Sequence, residues 1–265
     1  MNAIDRQPCD LTVQEDRGEM KPTAAPSGDL PAPGAKPRRW PRRTIAAIAL
    51  GVPALLVAIP AVLIAIYRFS APPPTPLMCL RRAQGYELHY QWTRLSRISL
   101  AMRRAVIMSE DVGFCDESMG IDWPRMVRQY EVWARGRRPA GASTIAMQTA
   151  RNLFLLPGRS SVRKLIELWL TPQLTLLWTR SRTLEVYLNI VEFGPGIFGV
   201  QAAARYYFNK DASQLNILEA TRLAEVLPSP LHRNPHSLNA KELNRANLNS
   251  VAVFYGSDAF SCLEP

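Results

Sequence analysis

An unbroken apolar run near the amino terminus constrains this chain more than any other feature. Residues 45–67 carry no charge over 23 positions. As a helix they would measure about 34 Å, which is enough to cross the hydrocarbon core of a bilayer. Pro53 and Pro60 lie within the run and are compatible with a kinked helix. A cleaved signal peptide is the alternative, but its apolar core is usually only about 7 to 15 residues long. We therefore predict a retained single transmembrane helix at 45–67.

The residues on either side of the run predict its orientation. Residues 1–44 are polar and proline-rich, and they lack an apolar period that could close a core, so we expect a disordered tail. Only Arg68 follows the run closely, whereas four arginines precede it: Arg38, Arg39, Arg42 and Arg43. Because positive residues stay on the cytoplasmic side, the tail is predicted to be cytoplasmic. We expect a single-pass protein of the cytoplasmic (inner) membrane, with everything after Tyr67 on its periplasmic or outer face.

Charge and cysteine content narrow the function classes of the outer portion. Most of the formal net charge of +10 lies beyond the tail, which favours an anionic partner. A membrane surface or a phosphate-bearing substrate fits the predicted location better than nucleic acid does. Three of the four cysteines lie outside, at Cys79, Cys115 and Cys262, so they can form at most one disulfide among themselves. The sequence contains no C-x-x-C pair or histidine cluster that would indicate zinc.

Beyond the run, the chain divides into a spacer, a main domain and an extension. Residues 68–76 include "SAPPPTP", which is typical of a stiff, extended spacer. Residues 77–240 show repeated apolar helical periods and few strand signals, which predicts a mainly α domain. Turn chemistry interrupts the pattern only in "EFGPGIFGV" and "YYFNKD". Residues 241–265 are predicted to form a C-terminal extension.

An acidic segment, "SEDVGFCDESMGIDW" at 109–123, stands out in this basic chain. Its first acids, Glu110 and Asp111, follow an apolar helical stripe that includes Ile98, Met102 and Ala105. They are therefore predicted to lie where a helix ends and opens towards a cleft, a common location for a general acid or base. A solvated helix end is the alternative. The stripe itself can pack in the protein core or dip into a bilayer.

A second charged cluster lies in "PGRSSVRKLIE". Ser160 or Ser161 can cap a helix in which Arg163, Lys164 and Glu167 fall within one turn. A surface array of ion pairs is the alternative interpretation. Between the two clusters, "GASTIAMQTARNLFL" combines small and hydroxyl residues with a helix start, a pattern that lets a sugar or phosphate approach backbone amides.

Five ordered motifs between Ser96 and Pro235 resemble the signatures of the peptidoglycan glycosyltransferase family, the enzymes that polymerise lipid II, and especially its monofunctional, membrane-anchored members. The first, E-D-x-x-F-x-x-H, corresponds to Glu110, Asp111 and Phe114, with Glu117 where the family has histidine. The second, G-G-S-T-x-x-Q-Q, matches Gly141, Ser143, Thr144 and Gln148, with Ala142 and Met147 as departures. The third, R-K-x-x-E, is complete in Arg163, Lys164 and Glu167.

The two remaining motifs follow in the family's order. The fourth, K-x-x-I-x-x-x-Y-x-N, keeps Tyr187 and Asn189, whereas Arg180 replaces the lysine and Thr183 the isoleucine. The fifth, R-x-x-x-V-L, is intact in Arg222, Val226 and Leu227. Pro172 is a further departure, and we expect it to kink or interrupt the helix that follows Glu167.

The resemblance implies a role for each matching residue. Glu110 would be the general base that deprotonates the 4-hydroxyl of the acceptor N-acetylglucosamine. Glu167 would be the second catalytic carboxylate, assisting departure of undecaprenyl pyrophosphate through a divalent cation or through the charged groups around it. The implied substrate-binding residues are Ser143, Thr144, Gln148, Arg151, Arg159, Arg163, Lys164 and Arg222. The implied structural residues are Asp111, Phe114, Tyr187 and Asn189.

The resemblance also implies a fold, a cofactor and partners. The family fold is a mainly α, lysozyme-like domain with a smaller membrane-embedded lobe, here behind a single N-terminal transmembrane helix. A divalent cation, Mg²⁺ or Mn²⁺, is expected without an organic cofactor, and the metal site is unknown. The expected partners are lipid II, nascent glycan, the membrane and other cell-wall synthesis or division proteins, and not nucleic acid.

The other acids are assigned structural or solvated positions. We expect Asp111 to hold a neighbouring loop or base, Asp122 to cap a helix, and Asp116 and Glu117 to be solvated. Glu185 and Glu192 lie among apolar neighbours on predicted helical or turn segments. A glutamate in such a position is more often part of a structural ion pair than catalytic, so we expect each of them to form an ion pair.

Two other functions remain open at the sequence level. A lysozyme-like glycan-cleaving enzyme would also use paired carboxylates, but it would not need cations that face a pyrophosphate. A weakly active, membrane-anchored scaffold of the cell-wall machinery would tolerate changes such as Met147. The "SVRK" at 161–164 nominally fits the S-x-x-K of transpeptidases, but no K-T-G follows it, so we expect no transpeptidase domain.

Overall fold

Helices dominate the fold, as the apolar periods predict. The computed structural model describes residues 41–139, 141–158, 160–255 and 258–263. Residues 1–40 of the predicted tail therefore lie outside the described residues. The α-helices are α1 (Arg42–Tyr67), α2 (Pro76–Ala83), α3 (Leu100–Glu110), α4 (Trp123–Ala134), α5 (Ile145–Phe154), α6 (Ser161–Leu177), α7 (Arg180–Ile190), α8 (Val200–Phe208), α9 (Ile217–Val226) and α10 (Ala240–Tyr255). Short 3-10 turns form at Leu95–Arg97, Ala212–Gln214 and Asp258–Leu263.

The chain divides into two compact units between Ile59 and Pro60. Within the described residues, no helix has both the length and the apolar character needed to cross a membrane. The single span at 45–67 therefore stays a prediction. All side chains discussed below belong to the second unit, which begins at Pro60.

A small sheet forms where the sequence shows turn chemistry. The strands are β1 (His89–Tyr90), β2 (Glu192–Gly194) and β3 (Ile197–Phe198), and β3 lies in the middle. β1 runs parallel to β3, and β2 pairs with β3 as an antiparallel hairpin. Gly199, which follows the hairpin, has a φ of +80°, and a Cβ there would lie 2.6 Å from the carbonyl oxygen of Asn189. Glycine is required at this position because any other residue would be strained at this φ, and its Cβ would clash with the Asn189 carbonyl oxygen.

The apolar stripe of α3 lies in the protein core. Ile98, Met102, Ala105 and Ile107 are all buried, and they pack with residues of α7, α8 and α9. Of the two alternatives for this stripe, core packing is therefore the correct one. Burial of the stripe also fixes the direction in which the end of α3 points, because α3 packs directly on α9 and α10.

Side-chain caps begin the helices that carry the charged clusters. Ser160 accepts a hydrogen bond from the backbone N–H of Arg163 and starts α6, one of the two alternatives for this cap. Asp122 accepts one from Arg125 at the start of α4, which confirms its role as a local cap. α6 continues through Pro172 to Leu177, so of the two expected effects of this proline the interruption is wrong, whereas the kink stays a prediction. The hydroxyl of Thr175 donates to the carbonyl oxygens of Thr171 and Pro172 in this turn, which supports backbone groups near the proline.

A disulfide joins the acidic segment to the end of the chain. Cys115 in the loop after α3 is bonded to Cys262 in the last 3-10 turn, 147 positions away. The sequence limited the outer cysteines to one disulfide among themselves but left the pairing open. The segment predicted as an extension contains α10, which packs on α3 and α9. The disulfide and α10 therefore hold the acidic loop from the carboxyl-terminal side.

We predict that Cys262→Ser lowers the free energy of unfolding by about 2 to 5 kcal/mol, because a cross-link across so long a loop restricts the unfolded chain. Urea unfolding of the oxidised protein and of the variant measures the difference. Cys115→Ser breaks the same disulfide and is the control, and its midpoint should match that of Cys262→Ser. Equal midpoints for the variant and the oxidised wild type would contradict this prediction.

Candidate active site

Glu110 is the last residue of α3 and lies beside α5 and α7. Its Oε2 atom accepts a hydrogen bond of 2.8 Å from Nε2 of Gln148, which lies on α5. The hydroxyl of the fully buried Tyr187, on α7, donates to Oε1 of the same glutamine at 3.3 Å. These contacts hold the Gln148 amide from both sides and fix its orientation. The structure thus brings together three residues that the first, second and fourth motifs contribute separately.

The environment of Glu110 makes its carboxylate a better base than an exposed glutamate. Burial raises the pKa of Glu110, and the negative charges of Glu225 and Asp111 add to the rise. The hydrogen bond from Gln148 and the positive charge of Arg151 act in the opposite direction and lower it. The net result is a raised pKa, which suits a general base because a more basic carboxylate takes a proton more readily.

Glu167 is nearly inaccessible and is held by two cations. Its side chain is only 1% exposed, and its two oxygens accept from different partners. Nη1 of Arg163 donates to Oε1 at 2.7 Å, and Nζ of Lys164 donates to Oε2 at 3.1 Å. The interpretation of this cluster as a surface ion-pair array is therefore wrong, because its acidic member is buried. The carboxylate acts as a buried anchor for two cations on the first turns of α6.

Lys164 connects this cluster to the small-residue loop before α5. Its Nζ also donates to the hydroxyl of Ser143 at 2.8 Å. Burial lowers the pKa of Lys164, as do Arg151 and Arg163, whereas Glu167 raises it. Arg151 thus acts electrostatically on both Lys164 and Glu110. The second and third motifs meet here, and Arg151 links this cluster electrostatically to the catalytic candidate Glu110.

The remaining predicted binding residues differ in position. Arg151 is half-buried, and its Nε donates to Asn152 at 3.4 Å. Arg222 on α9 is half-buried, and its Nε has no hydrogen-bond partner among the described residues. Arg159 lies outside the described residues.

Thr144 is buried: its hydroxyl donates to the carbonyl oxygen of Gly120 and accepts from the N–H of Met147. Thr144 therefore caps α5 from within the protein, where a substrate has no access to it in this arrangement.

The predicted structural residues hold the loops around the site. Oδ2 of Asp111 accepts a 2.8 Å hydrogen bond from the N–H of Ile145, the first residue of α5, so its predicted role in holding a neighbouring loop is confirmed. Phe114 is buried in the main core. The Asn189 side chain is buried, accepts from the N–H of Thr93 and donates to the Thr93 carbonyl oxygen. Asp111 thus ties the end of α3 to the start of α5, and Asn189 ties α7 to the backbone at Thr93.

One acidic residue differs from the sequence expectation. Glu117 was expected to be solvated like its neighbour Asp116, which is exposed. It is instead half-buried, and burial is the main factor that raises its pKa to about 9. The expectation was wrong because Arg180, 63 positions away, binds the Glu117 carbonyl oxygen and holds this part of the loop against the protein, a contact that no local pattern indicates.

Arg180 is a functional position that the sequence analysis noted only as a replacement. Its guanidinium donates to the carbonyl oxygens of Phe114 and Glu117, at 2.8 and 3.2 Å. It therefore ties the acidic loop to the start of α7. The signal that could have found it is its place in the fourth motif, where the family has a lysine. A fork of several donors can bind two carbonyls at once, whereas an ammonium is a point charge.

The two other acids set aside from catalysis form ion pairs, as expected. Nε of Arg81 donates to Oε1 of Glu192 at 2.8 Å, and Glu185 pairs with Arg182. The described residues contain no group of three or more histidine, cysteine, aspartate or glutamate side chains that could hold a metal ion. They therefore do not by themselves form a donor set for the expected divalent cation, whose requirement stays a prediction.

We predict that Gln148→Met raises the pKa of Glu110, because the substitution removes the hydrogen bond that stabilises the ionised carboxylate. Titration of ¹³C-labelled glutamate carboxyls by NMR measures the shift. Gln91→Met, which changes an exposed amide before α3, is the matched control and should leave the pKa of Glu110 unchanged. A Glu110 pKa that stays the same or falls in the Gln148 variant would count against this assignment.

Comparison with known proteins identifies similar chains. Residues 78–252 match a family model described as Transglycosylase. A biosynthetic peptidoglycan transglycosylase of Caulobacter vibrioides is 44% identical over 193 residues, which cover 73% of this chain and 84% of the relative. A protein of the same name from Rhodospirillum centenum is 43% identical over 205 residues, covering 77% of this chain and 87% of the relative. Another, from Pasteurella multocida, is 44% identical over 186 residues, covering 67% and 75%.

Proposed function

The chain belongs to the transglycosylase family, and from that premise we propose that it is a peptidoglycan glycosyltransferase that polymerises lipid II into glycan strands. The observation that carries the proposal is the pairing of two unlike centres. Glu110 is a carboxylate with a raised pKa, and the buried Glu167 organises a cluster of cations; the charge of Arg151 acts on both Glu110 and Lys164 and so links the two centres. A base and a set of cations are the two requirements for transferring a sugar from a pyrophosphate donor to a hydroxyl acceptor.

In the proposed reaction Glu110 is the general base. The 4-hydroxyl of the acceptor N-acetylglucosamine attacks the anomeric carbon of the donor, a carbon–oxygen bond forms there, and the bond to the pyrophosphate oxygen breaks. The hydroxyl proton passes to the Glu110 carboxylate, because an unassisted sugar hydroxyl is a poor nucleophile at neutral pH. Gln148 holds that carboxylate through one oxygen and leaves the other for the acceptor.

The cations stabilise the leaving undecaprenyl pyrophosphate. Arg151 lies on α5, and Arg163 and Lys164 lie on the first turn of α6. The charges of Arg151 and Arg163 both act on Lys164. Guanidinium and ammonium groups form strong hydrogen bonds to phosphate oxygens and offset the charge that develops on the leaving group. Arg222, and Arg159 outside the described residues, are proposed to extend this set.

Glu167 acts in this proposal through the cations that it holds. Both of its oxygens accept hydrogen bonds, from Arg163 and Lys164, and its side chain is 1% exposed. Of the two routes open at the sequence level, support of the charged groups is therefore the one that this arrangement favours over direct metal binding. We keep Mg²⁺ or Mn²⁺ as a proposed requirement, with no step of the mechanism assigned to it and no organic cofactor proposed.

The glycan-cleaving alternative fits the site less well. Cleavage by a pair of carboxylates needs a second acid that can approach the sugar. Glu167 is buried between two cations, so it is poorly placed for that role. The scaffold alternative has no such geometric objection, and the measurement of turnover below distinguishes it. We propose a lysozyme-like arrangement for the domain, with no transpeptidase activity.

Exposed apolar side chains support the membrane as a partner. On α4 the side chains at 123, 127, 130 and 133 follow helical spacing, and Trp133 is 62% exposed. α6 adds a second set of exposed apolar residues: Val162, Leu165, Ile166, Trp169 and Leu176. Two helix faces of this kind, rich in tryptophan, are typical of surfaces that enter the headgroup region.

We propose a single-pass inner-membrane protein with a cytoplasmic tail and a periplasmic domain that rests on the bilayer. Its proposed partners are lipid II, nascent glycan and other cell-wall proteins.

The proposed activity predicts a glycan ladder on a gel when the full-length protein is incubated with labelled lipid II, detergent and Mg²⁺. A muramidase should digest that ladder. Glu110→Gln should lower the rate roughly 100-fold or more, because it removes the base while keeping the size of the side chain. The exposed Glu87→Gln is the control and should keep full activity. Chelation by EDTA tests the cation requirement in the same assay.

Each result of this assay has a definite meaning. A muramidase-sensitive ladder from the wild type alone supports glycan polymerisation with Glu110 as base. Degradation of preformed glycan, without consumption of lipid II, would favour the cleaving enzyme. Unchanged lipid II with a well-folded protein would favour the scaffold.

The proposed membrane contact predicts quenching of Trp133 by lipids. Full-length protein in vesicles that contain brominated acyl chains should lose tryptophan fluorescence, and Trp133→Phe should lose less of it, since this exposed ring is proposed to lie in the bilayer. The half-buried Trp92→Phe is the matched control. An equal fractional quench in the wild type and in Trp133→Phe would argue against contact of this face with lipid.

A further inference from the structure

The helix α4 and the turn that follows it, residues 123–139, combine an exposed apolar face with an excess of positive charge. The segment holds five arginines and one acid, which are Arg125, Arg128, Arg135, Arg137, Arg138 and Glu131. We propose that the exposed arginines bind the headgroups of anionic phospholipids, so that the domain selects negatively charged lipid where α4 touches the bilayer. This inference rests on the proposed contact of α4 with the membrane and adds the chemical class of the lipid.

The apolar face of α4 is both exposed and aromatic. Trp123, Val127, Tyr130 and Trp133 are each more than half exposed, and the ring centroids of Tyr130 and Trp133 lie 5.7 Å apart. Their spacing of three or four residues places these side chains along one side of the helix. Tryptophan and tyrosine are enriched at the level of lipid headgroups, because each combines an apolar ring with a polar atom. This face therefore brings α4 to the depth at which lipid phosphate groups lie.

Most of the arginines beside this face have no partner in the protein. Arg128, Arg137 and Arg138 are exposed, and within the described residues their guanidinium groups form no ion pair or hydrogen bond. Arg135 reaches Glu131 at 3.7 Å, but both side chains are more than half exposed, and an exposed pair contributes little. The half-buried Arg125 is left out of the set. The other four guanidinium groups can therefore bind an external anion.

A fixed turn holds two of these arginines at the end of α4. Gly136 has a φ of +71°, and its N–H donates to the carbonyl oxygen of Trp133 at 2.9 Å. The N–H of Arg137 donates to the carbonyl oxygen of Val132 at 3.1 Å. These two hydrogen bonds form a Schellman motif, in which the chain turns at a glycine just after the helix. Arg137 and Arg138 are thus held at the end of α4 that carries Trp133.

The other two arginines lie along one flank of the helix. Arg128 and Arg135 are seven positions apart, close to two full turns, so they share one side of α4. The carbon stem of an arginine can cover apolar surface while its charged group stays at the polar interface. A helix with arginines beside a face that contains tryptophan is typical of helices that lie in the plane of the interface and are attracted to anionic lipids.

On α6, by contrast, the described cations next to the exposed apolar face are already paired. Leu165 and Trp169 are exposed there, but Arg163 and Lys164 both bind the buried Glu167. Near an anionic membrane surface, each unpaired arginine gains about fivefold in affinity, whereas a zwitterionic surface has no net charge to attract it. The preference for anionic lipid is therefore assigned to α4 and its turn.

The test measures which lipid lies next to Trp133. Full-length protein is reconstituted in vesicles with equal amounts of phosphatidylglycerol, which is anionic, and phosphatidylcholine, which is zwitterionic, and only one of the two carries brominated acyl chains. The difference in emission between the protein and its Trp133→Phe variant gives the signal of Trp133 alone. Its quenching should be roughly twofold stronger, or more, when phosphatidylglycerol carries the bromine. Added salt should reduce this preference, because the attraction is electrostatic.

A double variant tests whether the arginines cause the preference. Arg137→Gln combined with Arg138→Gln removes two unpaired charges from the end of α4 that carries Trp133, so most of the preference should be lost. Arg94→Gln combined with Arg97→Gln removes two exposed arginines outside α4 and is the matched control, which should keep the preference. A preference that survives unchanged in the Arg137 and Arg138 variant would overturn the proposal.

The outcomes separate this inference from the proposed function. Equal quenching of wild-type Trp133 by the two brominated lipids would refute the selection of anionic lipid and leave the proposed activity in place. Quenching by neither lipid would refute the membrane contact and this inference with it. Loss of lipid II turnover by the Arg137 and Arg138 variant in neutral detergent would assign these arginines to the substrate and also overturn the proposal. A wild type that shows the lipid preference but leaves lipid II unchanged would instead refute the proposed function alone.

Discussion

The hydrogen bond from Gln148 to Glu110 is the contact on which the site depends. It joins the end of α3 to the first turns of α5, and Tyr187 on α7 fixes the glutamine from the other side. Three helices from separate parts of the sequence thus converge on one carboxylate. The packing of α3 against α9 and α10, and of α5 against α6 and α7, holds these helices at the distance that the hydrogen bonds need.

The distribution of charge follows from this arrangement. Glu110 lies where burial and neighbouring acids make it more basic, whereas Glu167 is paired with Arg163 and Lys164 and serves to organise cations. Two glutamates therefore acquire different chemical properties from their surroundings, one as a proton acceptor and one as a charge anchor. The proposed reaction explains the concentration of acids in a basic chain in the same terms, with Glu110 proposed to act on a hydroxyl and the cations on a pyrophosphate.

The loop after Glu110 is where local pattern and tertiary contact diverge most. Its sequence predicts exposure for both Asp116 and Glu117, because both are charged residues in a polar loop. Only Asp116 is exposed, whereas Glu117 is half-buried and its carbonyl oxygen accepts a hydrogen bond from Arg180. The Cys115–Cys262 disulfide crosses from the same loop to the end of the chain. Neither contact has a signature in the spacing of nearby residues, since the partners of Arg180 and Cys115 lie about 60 to 150 positions away.

The sequence by itself determined which residues can carry the chemistry and most of the helices that hold them. The apolar period locates α3, α6, α7 and α9, and the alternation of caps and stripes places Glu110 at a helix end and Glu167 one turn into another helix. These are local properties, set by residues three to four positions apart. Only the tertiary structure decided that Gln148 meets Glu110, that Glu167 is buried and that Glu117 is half-buried. Each of these depends on desolvation and on contacts between elements, and both are set by packing rather than by neighbours in the chain.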